Sequence, residues 1–213
     1  MKTVNSVVFR GPQFGVLAES QLQELHQGAL EVLRRTGVRF YHAGAVAMLK
    51  EAGAFVSDGN LCKFPARLVE DAVASTPGRI VMCDRDGEAA VFLEGTKVWF
   101  GTGSDCLNLL DPQTGEHRRF TRADIVAGYR LVDALPNIHF TMSIGLPADV
   151  DPALAYDVQM ALMLEHTTKP MVFVTDDEAT CRRAIDMAAA VAGGNEALAE
   201  QQHILLYSEP SSP

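Results

Sequence analysis

The residues best suited to chemistry lie where apolar runs end. They are Phe100, Gly101, Thr102, Gly103 and Asp105, then Ser143 and Gly145, then Thr175 and Asp176, and finally Tyr207 and Glu209. The types are glycines, small hydroxyls, carboxylates and two aromatic rings. Glycine lets a backbone or a bound group approach closely. Hydroxyls and carboxylates orient and polarise a ligand, and Tyr207 with Glu209 puts a ring and a carboxylate at one mouth. No lysine or metal-ligating cluster accompanies them, which argues against an aldolase or a metallohydrolase. Each group also has a plainer reading. Gly101 to Gly103 make a tight turn, Ser143 and Gly145 a loop before a helix, and Asp176 or Asp177 a helix N-cap. Tyr207 and Glu209 pack and pair, and Trp99 and Phe100 belong to a core, where strand alternation decides which of the two points inward.

The elements that must position these residues follow from the spacing. Val98-Trp99-Phe100 reads as a short strand. Leu107–Leu110 and Glu116–Phe120 read as a hairpin about Asp111-Pro112-Gln113-Thr114-Gly115. A helix starts at Thr121 and stops before Pro136. Ile138–Ile144 is a strand, Asp151-Pro152 caps a helix running to about His166, and Pro170–Val174 is the next strand. A helix to Val191 and a strand at Ile204–Tyr207 follow. Strand starts near Val98, Ile138, Pro170 and Ile204 are about 32 to 40 residues apart with helices between, the rhythm of βα units in a parallel sheet. No G-x-G-x-x-G stands at a strand–helix turn, so the dinucleotide-binding signature is missing and a (β/α)8 barrel is favoured over a doubly wound sheet.

The fold class is therefore α/β. It is a partial (β/α)8 TIM barrel of about four strands, residues 96–213, preceded by a helical and β-hairpin N-terminal region, residues 1–95. In that region residues 1–18 read as an irregular arm. Ser20-x-x-Gln23 fits a capping box opening a helix with an apolar face of Leu22, Leu25, Ala29, Val32 and Leu33. Helices at 43–52 and 66–75 and a hairpin of 79–83 with 90–93 follow. A barrel needs eight strands. The chain is thus expected to be the N-terminal part of a longer protein, whose open strand edges favour homo-oligomeric association.

Bulk properties narrow the function classes. With 213 residues, 47% hydrophobic, the chain can bury a sizeable core. A net charge of −9 disfavours nucleic acid and anionic membranes as partners. The four cysteines form no C-x-x-C pair, so neither a zinc site nor a disulfide framework is suggested, and a cytoplasmic location with reduced thiols is expected. No bound metal is expected.

The chain also resembles the trimethylamine methyltransferase family, corrinoid-dependent enzymes that include glycine betaine methyltransferases. The pattern begins at Leu25-His26-x-x-Ala29-Leu30-x-Val32-Leu33-x-x-Thr36-Gly37-Val38. It continues through Leu49-x-x-Ala52-Gly53-Ala54-x-Val56 and Phe64-Pro65-x-x-Leu68-Val69. Then come Phe100-Gly101-Thr102-Gly103, Asp111-x-x-Thr114-Gly115, Arg118-Arg119-x-Thr121-x-x-Asp124 and Asp133-Ala134-Leu135-Pro136-Asn137-Ile138. Lys169-Pro170 and Glu209-Pro210-x-x-Pro213 complete it. No piece is specific, but their order over nearly the whole chain is. The resemblance implies a (β/α)8 barrel and transfer of a methyl group from a small methylated amine to the cobalt of a corrinoid (cobalamin) carried by a cognate partner protein. It places pyrrolysine, in members that use it, beyond Pro213. The wider spread of members without it favours a betaine-type substrate. The resemblance also implies that the strand-end residues above face substrate or corrinoid, and that the hairpin contacts the corrinoid protein or lids the rim. Residues 1–213 alone are expected to be inactive. The alternative is a non-catalytic binding or assembly module that uses the open barrel edge.

Overall fold

The computed structural model describes residues 14–208. Glu209 and the rest of the closing motif lie outside the described residues, as does most of the arm at 1–18. The fold is mixed α/β, with several small sheets and seven α-helices among the described residues. These residues divide into two compact units, 14–77 and 78–208.

The first unit holds α1 (Glu19–Arg35), β1 (Val38–Arg39), α2 (Ala43–Glu51), β2 (Phe55–Ser57), β3 (Leu61–Lys63) and α3 (Ala66–Ala74). Its strands form an antiparallel sheet in the order β1-β3-β2, with Cys62 fully buried at the centre. This sheet is not evident as a pattern because its strands are two or three residues long. Gly37 has φ +73, and a Cβ there would lie 2.3 Å from the Cys62 carbonyl oxygen, so only glycine fits between α1 and β1. The start of α1 differs from the expected box. Ala18 is the N-cap, and the Gln21 side chain accepts from the Ala18 N–H at 2.9 Å. The expected apolar face also differs, since Leu30 is buried while Leu22, Leu25 and Val32 stand exposed.

In the second unit, β4 (Arg79–Cys83) and β5 (Ala89–Glu94) form one antiparallel hairpin, and β6 (Asn108–Leu110) and β7 (His117–Arg119) another. Then come α4 (Arg122–Ala134), β8 (Thr141–Met142), a 3-10 turn (Pro152–Leu154), α5 (Ala155–His166) and β9 (Met171–Val174). α6 (Glu178–Ala192), α7 (Asn195–Glu200) and β10 (Ile204–Tyr207) complete it. β8, β9 and β10 are parallel neighbours in chain order, with Thr141 opposite Met171 and Met171 opposite Ile204. Single parallel bridges join Gly101 to Phe140 and Cys106 to Gly145, so the 101–106 segment runs along the β8 side of this sheet. Met171, Phe173, Ile204 and Leu206 pack into one core with Ile125 and Tyr129 of α4, Met160 and Met163 of α5, and Ala184 and Ala188 of α6. Alternation leaves Val172, Val174, Leu205 and Tyr207 on the other face.

The expected strand at 98–100 is not formed, and the one at 138–144 shortens to β8. The Phe100 carbonyl accepts from the His139 N–H at 2.7 Å, but the Phe100 N–H turns to the His139 ring and not to a neighbouring strand. The Trp99 indole N–H donates to the Phe92 carbonyl at 2.9 Å, and the Phe100 N–H donates to His139 Nδ1 at 3.2 Å. The Lys169 ammonium binds the carbonyls of Val132, Leu135 and Ile138 at 2.5 to 2.6 Å. The positive φ of Asp105 (+49) then breaks any extended run.

Candidate functional site

The two ends of the parallel sheet differ in kind. At the end where the strands begin, the bonds are closed and structural. The Cys83 N–H donates to the Gln202 carbonyl, the Arg85 N–H to the Thr168 carbonyl, and the Arg85 guanidinium to the Leu164 carbonyl at 2.5 Å. Asp133 accepts from Thr167 and from both the N–H and the hydroxyl of Thr168. Lys169, part of the Lys169-Pro170 pattern, caps the end of α4 as described above.

The end where the strands finish collects polar groups whose hydrogen bonds are incomplete. Ser143, just after β8, is fully buried, with its hydroxyl beside the Asp105 carboxyl. The Asp105 N–H donates to the Ser143 carbonyl and the Cys106 N–H to the Ile144 carbonyl, which fixes the Asp105 side chain beside Ser143. Burial pushes the Asp105 carboxyl above its ordinary range, the Ser143 hydroxyl pulls it back in part, and the negative charge of Asp176 pushes it up again. Tyr129, fully buried on α4, has its phenol raised by burial, with the Ile144 main chain acting against that and the Asp105 charge adding to it. Gln159, fully buried on α5, donates through Nε2 to the Gly145 carbonyl at 2.5 Å, leaving Oε1 unpaired. Tyr156, half-buried, meets Phe173 edge-to-face at 6.4 Å. Its phenol is raised by burial first and then by Asp105 and Asp176.

The structure therefore brings Asp105, Ser143, Gly145 and Asp176 within electrostatic reach of one another. The open choice at the third strand is settled, since Asp177 caps α6 by accepting from the Thr180 N–H at 2.7 Å, and Asp176 is left exposed. The Thr175 N–H donates to the Tyr207 carbonyl, which ties the ends of β9 and β10 together. Other residues singled out from sequence serve as framework. The Thr102 hydroxyl accepts from the Met142 N–H at 2.8 Å, standing in for a ladder bond. A Cβ on Gly101 would meet the Phe140 ring at 2.2 Å, and one on Gly145 the Phe120 ring at 2.6 Å, so both glycines admit protein rings. Phe100 and Gly103 are exposed. Tyr129, Tyr156 and Gln159 sit on helices for which the sequence analysis gives only the bounds. The signal was a glutamine at the register of Ala155, Met160 and Met163.

The hairpin of β6 and β7 is held by its own motif residues. Asp111 accepts the N–H groups of Gln113 and Thr114, and its other oxygen takes Arg118 Nε at 2.8 Å. Arg118 also grips both oxygens of Asp124, at 2.7 and 2.8 Å, while Asp124 and Thr121 form the capping box of α4. The Arg118 hydrogen bonds hold the Asp124 carboxyl far below the usual carboxylate range. Among the described residues, no group of three or more His, Cys, Asp or Glu gathers as a metal site, and no helix is long and apolar enough to cross a membrane.

Against known proteins, the family model described as trimethylamine methyltransferase (MTTB) matches residues 1–213. Trimethylamine methyltransferase MttB of Desulfitobacterium hafniense (strain DSM 10664 / DCB-2) is 30% identical over 213 residues, covering 99% of this chain and 43% of that protein. The glycine betaine methyltransferase of Desulfitobacterium hafniense (strain Y51) is 22% identical over 193 residues, 89% of this chain and 40% of that protein. Trimethylamine methyltransferase MttB of Methanosarcina barkeri is 28% identical over 213 residues, 95% of this chain and 42% of that protein. The chain spans about two-fifths of the length of the curated relatives it matches.

Proposed function

The chain belongs to the trimethylamine methyltransferase family, and on that premise we propose that the protein transfers a methyl group from a small methylated amine to the cobalt of a corrinoid carried by a cognate partner protein. The observation that carries this reading is the family match along all of residues 1–213. Parallel neighbours in chain order, with their helices on one face, support reading residues 96–213 as the opening βα units of a (β/α)8 barrel and 1–95 as its prelude. In such a barrel the working end is where strands finish, the end at which the polar groups gather here.

The reduced corrinoid, as methyl acceptor, supplies the nucleophile, and the electron pair of the broken C–N bond leaves with the amine. The chain's part is to hold and orient the amine. Asp176, exposed at the end of β9, and the Tyr207 ring at the end of β10 provide a carboxylate and an aromatic face for a cationic nitrogen. The rim residues Phe100, Gly103 and Thr175 face substrate or the corrinoid protein, and the β6–β7 hairpin contacts that protein. A methylated ammonium loses its charge as the methyl leaves. A carboxylate beside it therefore strengthens substrate binding more than it lowers the barrier. The test uses the full-length protein with reduced corrinoid protein and, separately, trimethylamine, glycine betaine and other betaines. Methylation of the corrinoid, followed by its absorbance, is expected with one of them, and Asp176→Asn should raise KM several-fold with kcat nearly unchanged. Failure of every methylated amine would remove the proposal.

A further inference from the structure

The Phe100 main chain is gripped by one residue. Its carbonyl accepts from the His139 N–H at 2.7 Å, and its N–H donates to Nδ1 of the same histidine at 3.2 Å. The first is a main-chain bond of the kind parallel strands make, beside the Gly101–Phe140 bridge. The second is different, because a ring nitrogen stands where a strand would supply a carbonyl. A carbonyl accepts at any pH. Nδ1 accepts only while its lone pair is free, so the neutral ring carries its proton on Nε2. An imidazolium would point a donor at a donor.

The surroundings favour the neutral ring. His139 is half-buried, and its ring meets the Trp99 ring edge-to-face at 4.9 Å. Lys169, which binds the carbonyl of the adjacent Ile138 at 2.6 Å, brings a positive charge close. On the Trp99 side, Arg79 and Lys97 lie over the Phe92 ring at 5.1 and 5.4 Å and share the one carboxylate of Glu94. Burial first and then Lys169 hold the His139 pKa below its ordinary value, against a partial pull from the Phe100 main chain. Further along the segment the anchors do not titrate in this way. The Thr102 hydroxyl accepts from the Met142 N–H, and the N–H groups of Asp105 and Cys106 donate to the Ser143 and Ile144 carbonyls.

We propose that His139 is a proton-controlled positioning residue: with Nδ1 free it holds Phe100 against the lead into β8, and on taking a proton from solvent it releases the Phe100 N–H and lets this exposed ring leave its place. The inference rests on the proposed function for the part Phe100 plays at the rim, and not for the proton-controlled bond itself.

The test follows the full-length protein from about pH 7.5 to about pH 5.5, either side of the ordinary histidine value of 6.5. At the upper pH, nitrogen NMR should show His139 unprotonated at Nδ1 and protonated at Nε2. The closed segment needs the neutral ring and the released one does not, so release becomes easier as pH falls below 6.5. The exchange protection factor of the Phe100 amide should drop by about threefold or more at the lower pH, while those of Cys106 and Leu146 hold. His139→Asn sets an amide oxygen near the place of Nδ1 and cannot titrate, so protection at Phe100 should be kept at both pH values. His139→Leu should lose it at both. Protection at Phe100 that ignores pH in the unsubstituted protein, a pH dependence that survives in His139→Asn, or a ring protonated on Nδ1 at the upper pH would each overturn the proposal. In the corrinoid methylation assay, KM for the methyl donor should rise at the lower pH in the unsubstituted protein and stay level in His139→Asn. Identical KM profiles would overturn the positioning role. Turnover of no methylated amine would instead remove the proposed function and leave the exchange result standing.

Discussion

Asp105 concentrates the tension in this molecule. It is a non-glycine residue at positive φ, and it carries a carboxyl that burial drives toward its neutral form. A carboxyl raised above its unfolded value of 3.8 favours folding fully below that pH, and the benefit is lost as pH rises through the folded value. As pH rises, the native chain therefore bears the cost of holding the Asp105 carboxyl in a desolvated place. Asp105→Asn keeps the shape and the backbone tolerance and removes the charge. It should raise Tm at pH 7 by a few degrees, the scale of about 1 kcal/mol in a chain of this size. The advantage should vanish as pH falls toward 3.5, where both side chains are neutral. A pH series of thermal melts checks this, and an advantage that persists at acid pH would move the cause from charge to packing.

At the scale of elements, polar side chains set the boundaries more than propensity does. Lys169 illustrates this. Its ammonium satisfies three carbonyls at and just beyond the end of α4, where no glycine cap is present, and burial lowers its pKa against the pull of Asp133. Lys169→Met should cost on the order of 2 kcal/mol and speed amide exchange selectively in the last turn of α4, while exchange in α6 stays as it was. Uniform destabilisation would contradict the capping role. Much of this layer was legible in sequence. The helix start at Thr121, the Asp111 turn and the apolar runs of β9 and β10 use local rules and form as expected, while Asp151-Pro152 caps a 3-10 turn that leads into α5 and does not cap α5 itself. What was not legible depends on partners distant in sequence. Val98-Trp99-Phe100 has strand composition, but the His139 ring takes the Phe100 N–H, and the Trp99 indole is drawn to the Phe92 carbonyl. Asp105, Ser143 and Asp176, singled out from sequence, lie at the end of the sheet where the strands finish. Its helix-borne half, Tyr129, Tyr156 and Gln159, stayed hidden because a buried tyrosine or glutamine on an amphipathic helix looks like core until the strand facing it is known.

At the scale of the whole molecule, the two units are unequal in what holds them. Residues 78–208 bury a continuous cluster of aromatic, methionine and alanine side chains between sheet and helices. Residues 14–77 bury only Leu30, Ala54 and Cys62 among their hydrophobic side chains, while Leu25, Met48 and Phe55 are 61%, 63% and 76% exposed. A unit of this size with so little apolar burial is marginal by itself. It should therefore open at lower free energy than the rest of the chain. Cys62 supplies an internal reporter. It is fully buried at the centre of the β1-β3-β2 sheet, whereas Cys106 is exposed and Cys83 and Cys181 are half-buried. In a variant with serine at 83, 106 and 181, a thiol reagent reaches Cys62 only when this sheet opens. Labelling of Cys62 should outpace global unfolding by about tenfold or more, and on heating it should rise before the near-ultraviolet signal of Trp99 is lost. The two signals changing together would show that both units unfold as one. An early Cys62 signal with Trp99 intact would show that the parallel sheet and its polar end hold their structure while the first unit opens.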